Sequence, residues 1–185
     1  MTERPISRYS VPDVNALPED PKSMILGIQK KGGGYSECVS GLCAPTRGLR
    51  AFMAYHDALI EKESGLSQAD REMIVVATSN DNSRLYCVIA HGAILRIRVR
   101  NPMIADQVAT NCRKANVTPR QVAMLDFALK VFDNAVAIDE FDFETLHGHG
   151  FNDEDIWDIE ASRRSSGCPT GWRMSPRCAR MTNST

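Results

Sequence analysis

The chain has 185 residues, is 43% hydrophobic, and sets 22 lysines and arginines against 23 aspartates and glutamates. That is enough apolar material for a domain with a real core, and the near balance of charge argues against a polyanion-binding protein, so no nucleic-acid partner is expected. No apolar run reaches the length of a bilayer span, and the polar, proline-bearing start MTERPISRYSVPDVNALPEDP is unlike a signal peptide, so the expectation is a cytoplasmic protein without a membrane partner.

In chain order, residues 1–22 read as an extended arm, broken by Pro5, Pro12, Pro18 and Pro21. Helical spacing of apolar residues predicts a helix over 49–62, and Ser67 with Asp70 caps a long apolar helix running to about Ser79. Residues 80–83 are a break, the next helix covers about 84–99, and Asn101-Pro102 ends it. Arg96, Arg98 and Arg100 at its end read as a solvated face. Further helices are expected at about 104–114, at 118–134 with a Thr118 cap and Pro119 in first position, at 139–147, and from Asn152 to about Ala161. No segment sustains a period of two, so the fold class is all-α. The stretches LSQADREMIVVA and FNDEDIWDIEA share a capped, acid-rich start leading into apolar residues, a weak sign of a duplicated helical unit.

The chemistry gathers in REMIVVATSNDNSRLYCVIAHGAILR. Cys87 and His91 stand four apart on a predicted helix and so share one face, where an imidazole can deprotonate a thiol. Cys87 also lies on the first turns of that helix, where the positive end of the dipole favours a thiolate. Alone, Cys87 would read as a small buried hydrophobe; with His91 and the acid Glu72 in the same run, it points to redox chemistry at sulfur. The other candidates are weaker. The six cysteines are scattered and form no disulfide framework, and Cys38 and Cys43 lack a second ligand pair. His147 and His149 lack partnered carboxylates, so no metal is expected. His56, beside Asp57, reads as structural, and Asp153, Glu154 and Asp155 as the acidic first turn of a helix. Cys112 can resolve Cys87 only if the fold brings the two together.

The run from Glu72 through position 84, Tyr86-Cys87 and His91 resembles the active-site signature of the carboxymuconolactone decarboxylase and alkylhydroperoxidase D superfamily, in its peroxidase-related branch. The likeness extends through NPMIADQVA, TPRQVAMLDFA and GFNDEDIWDI, from about Arg50 to Glu160. It implies an alkylhydroperoxidase D-like helical bundle over 23–161, homo-oligomeric, that reduces hydroperoxides through a Cys-x-x-Cys pair at the expense of an external thiol reductant, with no organic cofactor or metal. By this resemblance Cys87 is the reactive thiol, His91 its base, Glu72 the acid of the relay and Tyr86 a hydrogen-bonding neighbour. The substrate-binding residues are not identified by it.

Position 84, where the resemblance calls for the second cysteine, holds Arg84, so no disulfide can close there. A guanidinium one turn before Cys87 favours the thiolate and leaves a one-thiol enzyme. The alternative, impairment, is the stronger reading, because a lone thiol without a resolving partner stalls at sulfenic acid. Two rival functions stand beside the peroxidase: a decarboxylase of a lactone or other small acid, and a catalytically dead binding or scaffold member.

Two stretches depart from the resemblance, 35–49 and 162–185. The second is arginine-rich and lacks apolar periodicity. In a neighbouring frame, codons permitted for either stretch read as amphipathic helix resembling the family. Both are therefore expected to be frame-shift products, with Cys38, Cys43, Cys168 and Cys178 carrying no chemistry.

Overall fold

A computed structural model describes residues 13–32 and 46–165, and among these residues every regular element is a helix, as the all-α expectation required. The chain packs as two compact units that divide after Asp57. Among the described residues the main buried apolar cluster draws its members from Leu66 to Ile159, within the second unit.

The first unit contributes a 3-10 turn at Val14–Ala16, the helix α1 (Glu19–Gly32) and most of α2 (Thr46–Ile60). The expected extended arm is corrected here: residues 1–12 lie outside the described residues, but α1 already begins at Glu19. Pro21 does not break it, since a proline in the first turn occupies a position whose N–H has no partner within the helix. Glu19 and Asp20 favour the same start through the helix dipole, and Asp20 also receives Arg50 Nη2 of α2 at 2.7 Å. Helix α2 begins three residues before the expected start at 49, so Thr46–Leu49 of the departing stretch is helical. The rest of that stretch, 35–45, and the tail from 166 onward lie outside the described residues, whereas 162–165 continue the last helix.

The second unit is built around α3 (Gln68–Asp81), in which every residue from Asp70 to Ser79 is buried. Around it pack α4 (Leu85–Val99), α5 (Pro102–Asn111), α6 (Pro119–Asn134) and α8 (Asp153–Ser165), while α7 (Glu140–Gly148) packs on α6. Reciprocal caps set most of these starts. Ser67 Oγ accepts from Asp70 N at 3.1 Å while Asp70 accepts from Ser67 N at 3.0 Å, and Thr118–Gln121 and Asp139–Asp142 repeat the device. Asn152 and Asp155 do so at 2.8 and 3.2 Å, so the two stretches that suggested a duplicated unit begin with the same cap.

Two helices end on the same six-residue closure. In α7, Gly150 takes the left-handed conformation (φ 80°), with Gly150 N donating to His147 O and Phe151 N to Leu146 O. In α3 the left-handed position is filled by Ser83 (φ 52°), with Ser83 N donating to Asn80 O at 2.9 Å and Arg84 N to Ser79 O at 2.8 Å. The helix expected to stop near Ser79 therefore runs to Asp81, because this closure needs no glycine to form.

Candidate active site

Three neighbouring features of α3 and α4 build the site. Glu72 projects from α3 and is 2% exposed; His91 projects from the second turn of α4 and is 6% exposed. Their contact, His91 Nδ1 to Glu72 Oε2, is 2.8 Å, a fully buried acid–imidazole hydrogen bond between two helices. Cys87 lies one turn before His91 and is half-buried at the third position of α4. Held by Glu72 through Nδ1, the imidazole keeps Nε2 as its second proton-exchanging atom. Tyr86 belongs to the backbone of α4, and its side chain lies outside the described residues.

Arg84 occupies the joint between the two helices. Its N–H closes α3 on Ser79 O, and its C=O accepts from Val88 N at 3.1 Å to open α4, so one residue serves as the last of one closure and the N-cap of the next helix. Its side chain makes no cap hydrogen bond, since a guanidinium has only donors to offer. Instead it is half-buried, close to the Asn82 carboxamide. Asn82 was not singled out by the sequence, where it reads only as part of a helix break; the signal was its position two residues before Arg84 in that turn.

The other candidates sit elsewhere. Cys112 is buried among the core residues at the end of α5, and burial, followed by the nearby Asp126 carboxylate, pushes its thiol above the ordinary value. His56 Nδ1 faces Asp57 Oδ1 at 3.1 Å in the first unit. His147 Nε2 meets Asp153 Oδ1 at 2.8 Å on the surface, while His149 lines a shallow cavity of about 480 Å³ with Val117, Pro119, Val122, Ala123, Asp126 and Thr145. Among the described residues no group of three or more His, Cys, Asp or Glu side chains is placed to hold a metal ion, and no helix is long and apolar enough to cross a membrane.

A buried charge pair backs α3 beside Glu72. Arg71, fully buried, donates from Nη2 to Asp158 Oδ2 of α8 at 2.9 Å and to Ser64 Oγ at 2.7 Å, and Lys62 Nζ reaches Asp158 Oδ1 at 3.1 Å. Burial raises the Asp158 carboxyl, but the hydrogen bonds from Arg71 and Lys62 outweigh it and hold the group below its ordinary value.

This arrangement can be compared with known proteins. Residues 47–129 match the carboxymuconolactone decarboxylase family. At 49% identity, and over 95% of this chain and 96% of the other, the sequence matches an alkylhydroperoxidase AhpD core structure, an uncharacterized peroxidase-related protein from Ralstonia eutropha JMP134, with a TM-score of 0.84. The chain belongs to this family, in its alkylhydroperoxidase D-like, peroxidase-related branch. An uncharacterized peroxidase-related protein from Silicibacter sp. TM1040 is similar to this family member at 31% identity over 95% and 94% of the two chains, with a TM-score of 0.81. No protein of curated function matches it significantly.

Proposed function

We propose that the chain is a thiol-dependent hydroperoxide reductase acting through Cys87. The thiolate attacks the distal peroxide oxygen, the O–O bond breaks, the alkoxide leaves and takes a proton delivered by His91, and Cys87 becomes a sulfenic acid. Glu72 orients the imidazole and offsets its positive charge while it carries the proton. An external thiol then reduces the sulfenic acid, and no metal or organic cofactor enters the cycle as written. The observation that carries this reading is the buried 2.8 Å His91–Glu72 hydrogen bond on the helix whose first turn bears Cys87. The peroxidase-related relatives support it. Exposed Leu85, Ile97 and Met103 on α4 and α5 support a homo-oligomer, since apolar side chains of that size are commonly covered by a second copy.

The test is trapping of Cys87 sulfenic acid by dimedone after hydrogen peroxide or tert-butyl hydroperoxide, read by peptide mass mapping. Adduct at Cys87, lost in Cys87→Ser, supports the reading; a folded protein that consumes no peroxide sinks it. Arg84 favours a second reading, a family member of low turnover. Under that reading Arg84→Cys, which restores a thiol one turn before Cys87, raises turnover with a dithiol reductant, and a folded variant that gains nothing favours a catalytically dead binding or scaffold member. Lactone consumption that survives in Cys87→Ala would instead support the decarboxylase.

A further inference from the structure

Resting on the reading of Cys87 as a working thiolate, we infer that the Ser79 hydroxyl is the donor that hydrogen-bonds the Cys87 sulfur once it is ionised. Ser79 is fully buried on α3, and its Oγ finds no hydrogen-bond partner among the described residues. A buried hydroxyl left unpaired forfeits its bonds to water, so folded proteins keep few of them, and reaction centres are one place where they occur. The helix itself offers a remedy that Ser79 does not take. Its neighbour Thr78 turns its hydroxyl back to Ile74 O at 2.7 Å, whereas Ser79 makes no such bond to Val75 O.

Two contacts fix how α3 lies along α4. Glu72 meets His91 at 2.8 Å and Ser79 O accepts from Arg84 N at 2.8 Å, so as α3 runs from 72 to 79 the chain opposite runs back from 91 to 84. Cys87 lies between these two ties. It is one turn from His91 and shares the face that His91 turns to α3. Ser79 is two turns from Glu72 and shares the face that Glu72 turns to α4. The seam between the helices therefore holds Glu72 and His91 at one end, Cys87 in the middle and the unpaired hydroxyl at the other. A neutral thiol is a weak acceptor and gives Ser79 little to bond. When the proton passes from Cys87 Sγ to His91 Nε2, the sulfur becomes an anion, and the hydroxyl rotates to it while keeping its own proton. The charged groups of this seam are Glu72, His91 and, at the N-cap, Arg84. The other charges of α3, α4 and α5 are engaged elsewhere: Asp70 with Gln121, Arg71 with Asp158, Asp81 with Asp133, Arg96 with Asp106 and Arg98 with Gln68.

The experiment alkylates the full chain with iodoacetamide over a range of pH and follows Cys87 by peptide mass mapping. Ser79→Ala deletes one oxygen atom at a helical position, so it is expected to fold with an equal or higher thermal midpoint. Its Cys87 profile is expected to move up by about one pH unit, the scale of one hydrogen bond to a charged group. Reaction is then about tenfold slower below the wild-type midpoint and equal above both midpoints. Ser79→Thr, which keeps a hydroxyl, is expected to move less than Ser79→Ala. A rise in thermal midpoint with a loss of thiolate separates a donor to sulfur from a merely structural serine. A folded Ser79→Ala protein with an unchanged profile overturns the inference and leaves the peroxidase reading intact. So does a Ser79→Thr protein shifted as far as Ser79→Ala. A shifted profile in a chain that consumes no hydrogen peroxide upholds the hydrogen bond and overturns the peroxidase reading.

Discussion

Glu72→Gln is the substitution that separates the charge of the relay from its geometry. Glutamine keeps the shape of the side chain and an oxygen that can accept from His91 Nδ1, so packing around the buried pair is preserved; what is lost is the negative charge facing an imidazole that, in the proposed cycle, carries a proton during O–O cleavage. With partners 2% and 6% exposed and 2.8 Å apart, solvent screens the pair little. A hydrogen bond involving a charged group is worth about 1.5–3 kcal/mol, and at roughly 1.4 kcal/mol per tenfold that loss slows sulfenic acid formation by about ten- to a hundredfold. The measurement is the second-order rate constant of Cys87 with hydrogen peroxide, by timed quenching into dimedone, alongside the thermal midpoint. Because the two residues act as a unit, Glu72→Gln added to His91→Asn is expected to cost little more than His91→Asn alone. A Glu72→Gln protein that folds with an unchanged midpoint and reacts within about twofold of wild type refutes the relay.

Three further outcomes follow from the packing. Asp158→Asn leaves Arg71 buried without its counter-charge, in a guanidinium whose Nε and Nη1 already find no partner among the described residues, and is expected to cost about 3–5 kcal/mol in urea unfolding. Because the folded-state value of Asp158 is lowered, its contribution is complete above the ordinary carboxylate range and lost as pH falls through the lowered value, so the variant should show a flatter acid limb than wild type. Ser83→Gly removes the cost of a side chain in the left-handed region and is expected to raise stability by about 1 kcal/mol; a loss would show that Ser83 makes a contact outweighing that strain. Asp133→Asn relieves the hydrogen-bonded carboxyl pair that, with burial, raises Asp81. A raised folded value means stability present at low pH and lost as pH climbs past the unfolded value, so the variant should gain a few tenths of a kcal/mol at pH 7 and nothing near pH 3.

How much was legible in the sequence depended on range. Cys87 and His91 share a helix, so their spacing alone set them on one face, and the caps at Ser67, Thr118 and Asn152 announce helix starts within three residues of themselves. Boundaries failed where a residue acts against its usual signal. Pro21 sits inside a first turn that tolerates it, and Ser83 takes a left-handed angle that the sequence normally marks with glycine, so α3 ran past its expected end. The approach of Asn82 to Arg84 depends on that turn and was invisible for the same reason. Glu72 and His91 are 19 residues apart on different helices; the sequence set them in one run, and only the resemblance made them partners in a relay.

What joins them physically is the burial of α3. Successive residues of a helix point about 100° apart, so Arg71 and Glu72 leave the same turn in different directions, and on a helix covered on several sides both must end in the protein interior. Neither charge is tolerable there alone. Arg71 is met by Asp158 from α8 and Glu72 by His91 from α4, so the two ionisable pairs lock different neighbours onto the same turn of α3. Any change that let α3 rotate to repair one pair would break the other, which is why the imidazole one turn after Cys87 is held in a single orientation.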